Sequence, residues 1–128
     1  MTATITITNP ILSGMNPDPS WIWDDEFQRI VLVTSTFELV PGLPIYVSED
    51  MTCWKHVSYV IDADLARRLL IPFVDDSGGV YAPTLRRIHG KYVIACTIAR
   101  LDDRRAMEGG CTESELMRFH DAGGNFIL

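Results

Sequence analysis

In Asn16-Pro17-Asp18-Pro19-Ser20 one carboxylate stands between two prolines. Each proline holds its own φ at about −65° and offers no backbone donor, and Pro19 steers Asp18 out of the helical region toward an extended one. Such stiffness suits a general base, which must hold one water against one carbon; misplacement by ~1 Å costs on the order of a hundredfold in rate. Pro-Asp-Pro is also an ordinary turn composition, so its neighbours must decide between the two readings.

Other residues that could do chemistry are scattered. Asp62-x-Asp64 has no further oxygen ligands at metal spacing and reads as the capped start of a short helix over Asp62 to Leu70. Cys53, Cys96 and Cys111 are odd in number and far apart, which fits small core residues better than a disulfide or metal framework. His120 has no second imidazole nearby and is expected to be solvated. No metal site and no cofactor is expected.

A chain of 128 residues, 47% hydrophobic, is long enough for one globular domain and too apolar for disorder. Its net charge of −6 argues against a nucleic-acid partner. No apolar run approaches the ~20 residues of a membrane span. Met1 to Thr8 lacks the basic and apolar regions of a signal peptide. As written the chain reads as intracellular; a mis-assigned start would make it secreted.

The elements that must position Asp18 are short strands. Thr4 to Thr8 alternates Thr and Ile and suits a half-buried strand. Trp21-Ile22-Trp23, a polar Asp24-Asp25-Glu26 turn and the β-branched run from Arg29 predict a hairpin. Leu43 to Ser48 and Trp54 to Ile61 read as a third and fourth strand. Asp75 to Gly79 is a loop by composition. Val80 to Arg87 then leads through the turn His89-Gly90 to a return strand, Lys91 to Ala99. Asp18-Pro19-Ser20 and Ala82-Pro83-Thr84 each open a hairpin with proline and a small hydroxyl residue. This internal repeat of a β unit predicts an all-β fold of radially stacked sheets, with a two-sheet sandwich as the alternative. After Leu101 a charged, glycine-containing stretch reads as a crossing loop, with a helix capping box at Thr112 to Glu115 and a new strand from Ala122.

The strings NPILSGMNPDPSWIW, VTSTFELVPGLPIYVSEDMTCW, SGGVYAPTLRRIHGKYVIACT and GGNFIL, in that order, resemble the N-terminal part of family 43 glycoside hydrolases. These are five-bladed β-propellers that include β-xylosidases and α-L-arabinofuranosidases. The likeness runs from Asn9 to Thr97 and resumes at Gly123. It implies that residues 1–128 are the incomplete N-terminal part of a catalytic domain, supplying roughly its first two blades. The implied activity is hydrolysis of O-glycosyl bonds in xylo- or arabino-oligosaccharides with inversion, an oligosaccharide being the expected partner. The family's general base maps to Asp18. Phe37 resembles an aromatic lining the sugar subsite, and Tyr81 stands where relatives often carry Trp; blade packing is the competing role for both rings.

The family's acid glutamate, and the aspartate that orients it, lie beyond the position matched by Leu128. Glu38, Asp75, Asp76, Asp102 and Asp103 are candidates by residue type alone and read as solvated. The isolated chain is therefore expected to be inactive. The alternatives are a sugar-binding module without chemistry and a truncated fragment without function. The sequence carries no sign of oligomeric state.

Overall fold

Aromatic and β-branched residues fill the first two strands, and they pair as the expected hairpin in the computed structural model, which describes residues 4–128. Strands β1 (Ser20–Asp24), β2 (Arg29–Val33), β3 (Gly42–Ser48) and β4 (Lys55–Ile61) form a four-stranded antiparallel sheet in chain order. Its second strand is apolar without alternation because both of its faces are covered. Val31 and Val33 enter the main core, while Ile30 and Leu32 lie beside Trp23 and Trp21 on the other face.

The second sheet holds β5 (Val74–Ile88), β6 (Lys91–Leu101) and β7 (Asn125–Ile127), also antiparallel and in chain order. His89 and Gly90 join β5 to β6 with φ of 48° and 78°, the left-handed pair that a tight hairpin turn requires. Leu85, Ile94, Cys96 and Ile98 from this sheet share one apolar cluster with Val31, Val33, Leu43 and Ile61 from the first. Toward one edge the facing sheets diverge around an apolar cavity of about 320 Å³ lined by Val31, Val47, Leu85 and Ile94 among others.

Helix α1 (Ala63–Arg68) is capped as expected, with Asp62 accepting from the Leu65 amide at 2.8 Å. Helix α3 (Glu113–Asp121) opens with the capping box of Thr112 and Glu115. The charged stretch before it is not a loop but helix α2 (Asp103–Glu108), capped by Asp102. Ala106, Leu116 and Phe119 from these two helices are buried in the common core. Apolar residues spaced for one face, rather than the charge between them, decided that segment.

Four further expectations are corrected. Thr4 to Thr8 is exposed and forms no strand, because alternation alone supplies no neighbour to pair with. Asp75 to Gly79 belongs to β5, its register irregular between Val74 and Gly79, because β6 runs on to Leu101 and pairs with Val74. Cys96 is core, but Cys53 is exposed and Cys111 half-buried. Exposed His120 is not merely solvated: it sits 3.0 Å from the Asp103 carboxylate, joining α3 to α2.

Candidate active site

Among the described residues the strap carrying Asp18 pairs with no strand, so its position depends on contacts with the first sheet and the segment leaving β2. Asn16 accepts a hydrogen bond from the Tyr46 hydroxyl of β3 at 3.1 Å. The Ser35 amide, just beyond β2, donates to the Pro17 carbonyl at 2.9 Å. The Ser35 hydroxyl donates to Asp18 Oδ2 at 2.8 Å. Asp18 itself has φ of 51°, in the left-handed region rather than the extended conformation expected before a proline. Its side-chain contacts hold it there, and aspartate is among the residues that tolerate this region.

Strand β5 meets the strap from the other sheet. The Ala82 amide donates to Asp18 Oδ2 at 3.3 Å, and the Leu85 amide donates to Ser20 Oγ at 3.0 Å. The second proline-plus-hydroxyl copy does not open its strand as expected but falls inside β5, at an irregularity of register between Tyr81 and Thr84, and the first copy's Ser20 accepts from the Leu85 amide just past it. Beside this join, Phe37 forms an isolated bridge with Val80. Its ring meets the Tyr81 ring edge-on, with centroids 5.1 Å apart and an interplanar angle of 84°. The Tyr81 hydroxyl donates to the Ser77 carbonyl, which fixes the orientation of that ring.

Asp18 and the Phe37–Tyr81 pair are therefore both at the join of the two sheets, linked through the Ala82 amide beside Tyr81, though neither ring lines the cleft that Asp18 lines. Asp18 is exposed, and both rings are half-buried. Asp18 lines an open cleft with Pro19, Ser20, Ala82, Pro83, Thr84 and Arg86, in which it is the sole carboxylate among the described residues. Of the other candidate acids, Asp102 caps α2 and Asp103 faces His120. Among the described residues no three His, Cys, Asp or Glu side chains converge to hold a metal ion.

The residues that hold this arrangement were not visible as functional in the sequence. Ser35 and Tyr46 are ordinary strand-region residues whose bonds to the strap span 17 and 30 positions. Asp24 has the sequence context of a turn residue, yet it is fully buried. It accepts from the Tyr92 hydroxyl and the Glu26 and Phe27 amides, and pairs with Arg87 at 3.1 Å. The Tyr92 bond above all, with the Phe27 amide and the Arg87 charge, holds its carboxyl below the usual aspartate range, against the opposing effect of burial. Arg87 also binds Glu26, so this cluster ties the β1–β2 turn to the β5–β6 hairpin.

Compared with known proteins, residues 7–126 match the family described as Glycosyl hydrolases family 43. A non-reducing end alpha-L-arabinofuranosidase of Bacteroides ovatus is 43% identical over 94 residues, which cover 72% of this chain and 17% of the relative. A xylan 1,3-beta-xylosidase of a Vibrio species is 40% identical over 91 residues, 70% of this chain and 16% of the relative. Among solved structures, the xylan beta-1,4-xylosidase of Bacillus halodurans C-125 superposes with a TM-score of 0.65 at 31% identity, over 76% of this chain and 18% of that one. The chain thus spans less than a fifth of the length of these relatives.

Proposed function

This chain belongs to family 43 of the glycosyl hydrolases, and from that membership we propose that it is the base-bearing N-terminal part of a five-bladed β-propeller glycosidase. The reaction is hydrolysis, with inversion, of xylosyl or arabinosyl bonds in oligosaccharides. The two sheets serve as its first two blades. Trp21 and Trp23 on the first sheet, and Ile88 and Ile127 on the second, remain exposed, as flanks awaiting neighbouring blades would.

In direct displacement a water oxygen forms a bond to the anomeric carbon as the bond to the leaving oxygen breaks. Asp18 takes that water's proton, and an acid across the sugar, roughly 6.5–9.5 Å away, gives its proton to the leaving oxygen. Phe37 and Tyr81 offer apolar ring surface to the C–H face of the sugar. The observation that supports this reading is that the Asp18 carboxylate accepts from the Ala82 amide, the residue next to Tyr81, whose ring meets that of Phe37. Among the described residues the cleft holds no second carboxylate. Without the acid, a contribution of roughly 10²–10⁴-fold is lost, so the isolated chain turns over very slowly.

The test is a two-dimensional NMR titration of the isolated chain with xylobiose, alongside an assay for released xylose. Shifts centred on Asp18, Phe37, Tyr81 and Ala82 without hydrolysis are expected. Shifts confined to another surface would overturn the site. Robust hydrolysis abolished in Asp18→Ala would show that the chain already holds both acid and base.

A further inference from the structure

Three non-glycine residues with left-handed backbone converge at this join: Asp18, Phe37 and Ala82, with φ of 51°, 55° and 43°. Each such conformation is strained and persists where surrounding contacts over-determine it. At Asp18 those contacts are unequal between its two carboxylate oxygens. Oδ2 accepts from the Ser35 hydroxyl at 2.8 Å and the Ala82 amide at 3.3 Å, whereas among the described residues Oδ1 has no hydrogen-bond partner. Ser35 is fully buried, and its amide already binds the Pro17 carbonyl. Its hydroxyl has one proton to give. The carboxylate at 2.8 Å is a shorter and charge-assisted acceptor, compared with the Pro17 carbonyl at 3.4 Å.

We propose that Ser35 is the positioning residue of the Asp18 carboxylate: with the Ala82 amide it fixes Oδ2 and leaves Oδ1 as the atom that receives the proton of the attacking water. This rests on the reading of Asp18 as general base. Ser35 does not touch substrate. It holds the carboxylate plane, and because the Ala82 amide belongs to β5, the two donors come from opposite sheets. The base is therefore aimed by the join between sheets and not by the Pro-Asp-Pro strap alone. A strap fixed only by its prolines would leave χ1 and χ2 of Asp18 free to rotate.

The test uses the 128-residue chain labelled with ¹⁵N and ¹³C, reading the coupling across the hydrogen bond from the Ala82 nitrogen to the Asp18 side-chain carboxyl carbon, together with amide exchange. In wild type the coupling is present and the Ala82 amide is protected. In Asp18→Ala both signals vanish, which ties them to this carboxylate. In Ser35→Ala, a change that adds no volume, the coupling is lost and Ala82 exchange quickens about tenfold or more, while the Phe37 and Val80 amides keep their protection. An unchanged Ala82 coupling in Ser35→Ala overturns the proposal, as does simultaneous loss of Phe37 and Val80 protection, which would make Ser35 a general support of the fold. Either result leaves the base reading standing. Failure of that reading shows instead as sugar-induced shifts away from Asp18, with the Ser35 effect intact.

Discussion

Phe37 and Val80 exchange both backbone hydrogen bonds, at 3.1 and 3.0 Å, although one lies in the loop leaving β2 and the other in β5 of the second sheet. The exchange depends on Gly79. Its φ is 95°, and a Cβ there would stand 2.5 Å from the Phe37 carbonyl oxygen. Gly79→Ala is expected to lose about 1–2 kcal/mol to the left-handed backbone alone, and more to the clash. Urea unfolding checks the stability, and faster exchange of the Val80 amide locates the damage. An unaltered midpoint would show that the two sheets do not need this bridge.

Acid should destabilise the fold through specific carboxylates. Asp24 is held below its usual range chiefly by the Tyr92 hydroxyl, and Asp50 is lowered to about 2, first by the Cys53 amide and then by Thr52. Glu115 is lowered by the Thr112 amide and hydroxyl. In the unfolded chain such groups titrate at about 4. Between that value and their lower folded values the unfolded chain binds more protons, so stability is complete above about pH 5 and falls as pH drops toward about 2. Urea midpoints measured across that range should show the decline. In Tyr92→Phe, stability at neutral pH falls and the acid-dependent part of the decline becomes smaller.

Thiol reactivity should follow burial. Cys53 is exposed and reacts first with a disulfide reagent. Cys111 is half-buried, and burial above all pushes its thiol up. Cys96 is buried, its thiol pushed up to about 11, and it reacts last, on unfolding. Fast labelling of Cys96 in native buffer would contradict the packing of β6 in the core.

The strands were legible where composition and punctuation agreed. His89-Gly90 marked a hairpin, and Thr112 to Glu115 marked a helix start; both are local signals. Tertiary context decided the rest. Asp24 looks like a solvated turn acid until Tyr92 and Arg87 arrive from 68 and 63 residues away. Thr4 to Thr8 has a strand's alternation and, among the described residues, no strand to pair with. The flanking prolines mark Asp18, but its backbone conformation and its Ser35 contact depend on segments the motif does not contain.

The ring pair makes a separable prediction. Phe37→Ala removes an edge-on contact worth about 0.5–1.5 kcal/mol beyond area burial, and should shrink the xylobiose-induced shifts at Tyr81 while leaving the Asp24–Arg87 cluster undisturbed. Full retention of those shifts would assign Phe37 to packing alone.

The central claim is that Asp18 supplies the base of a glycosidase whose acid lies elsewhere. It is tested most directly by substituting this chain for the matched segment of the Bacteroides ovatus arabinofuranosidase and measuring turnover of an aryl arabinofuranoside. The fusion should hydrolyse the substrate, and Asp18→Ala should lower kcat at least about a hundredfold with little change in KM. A folded, active fusion whose Asp18→Ala variant keeps its kcat would contradict the account.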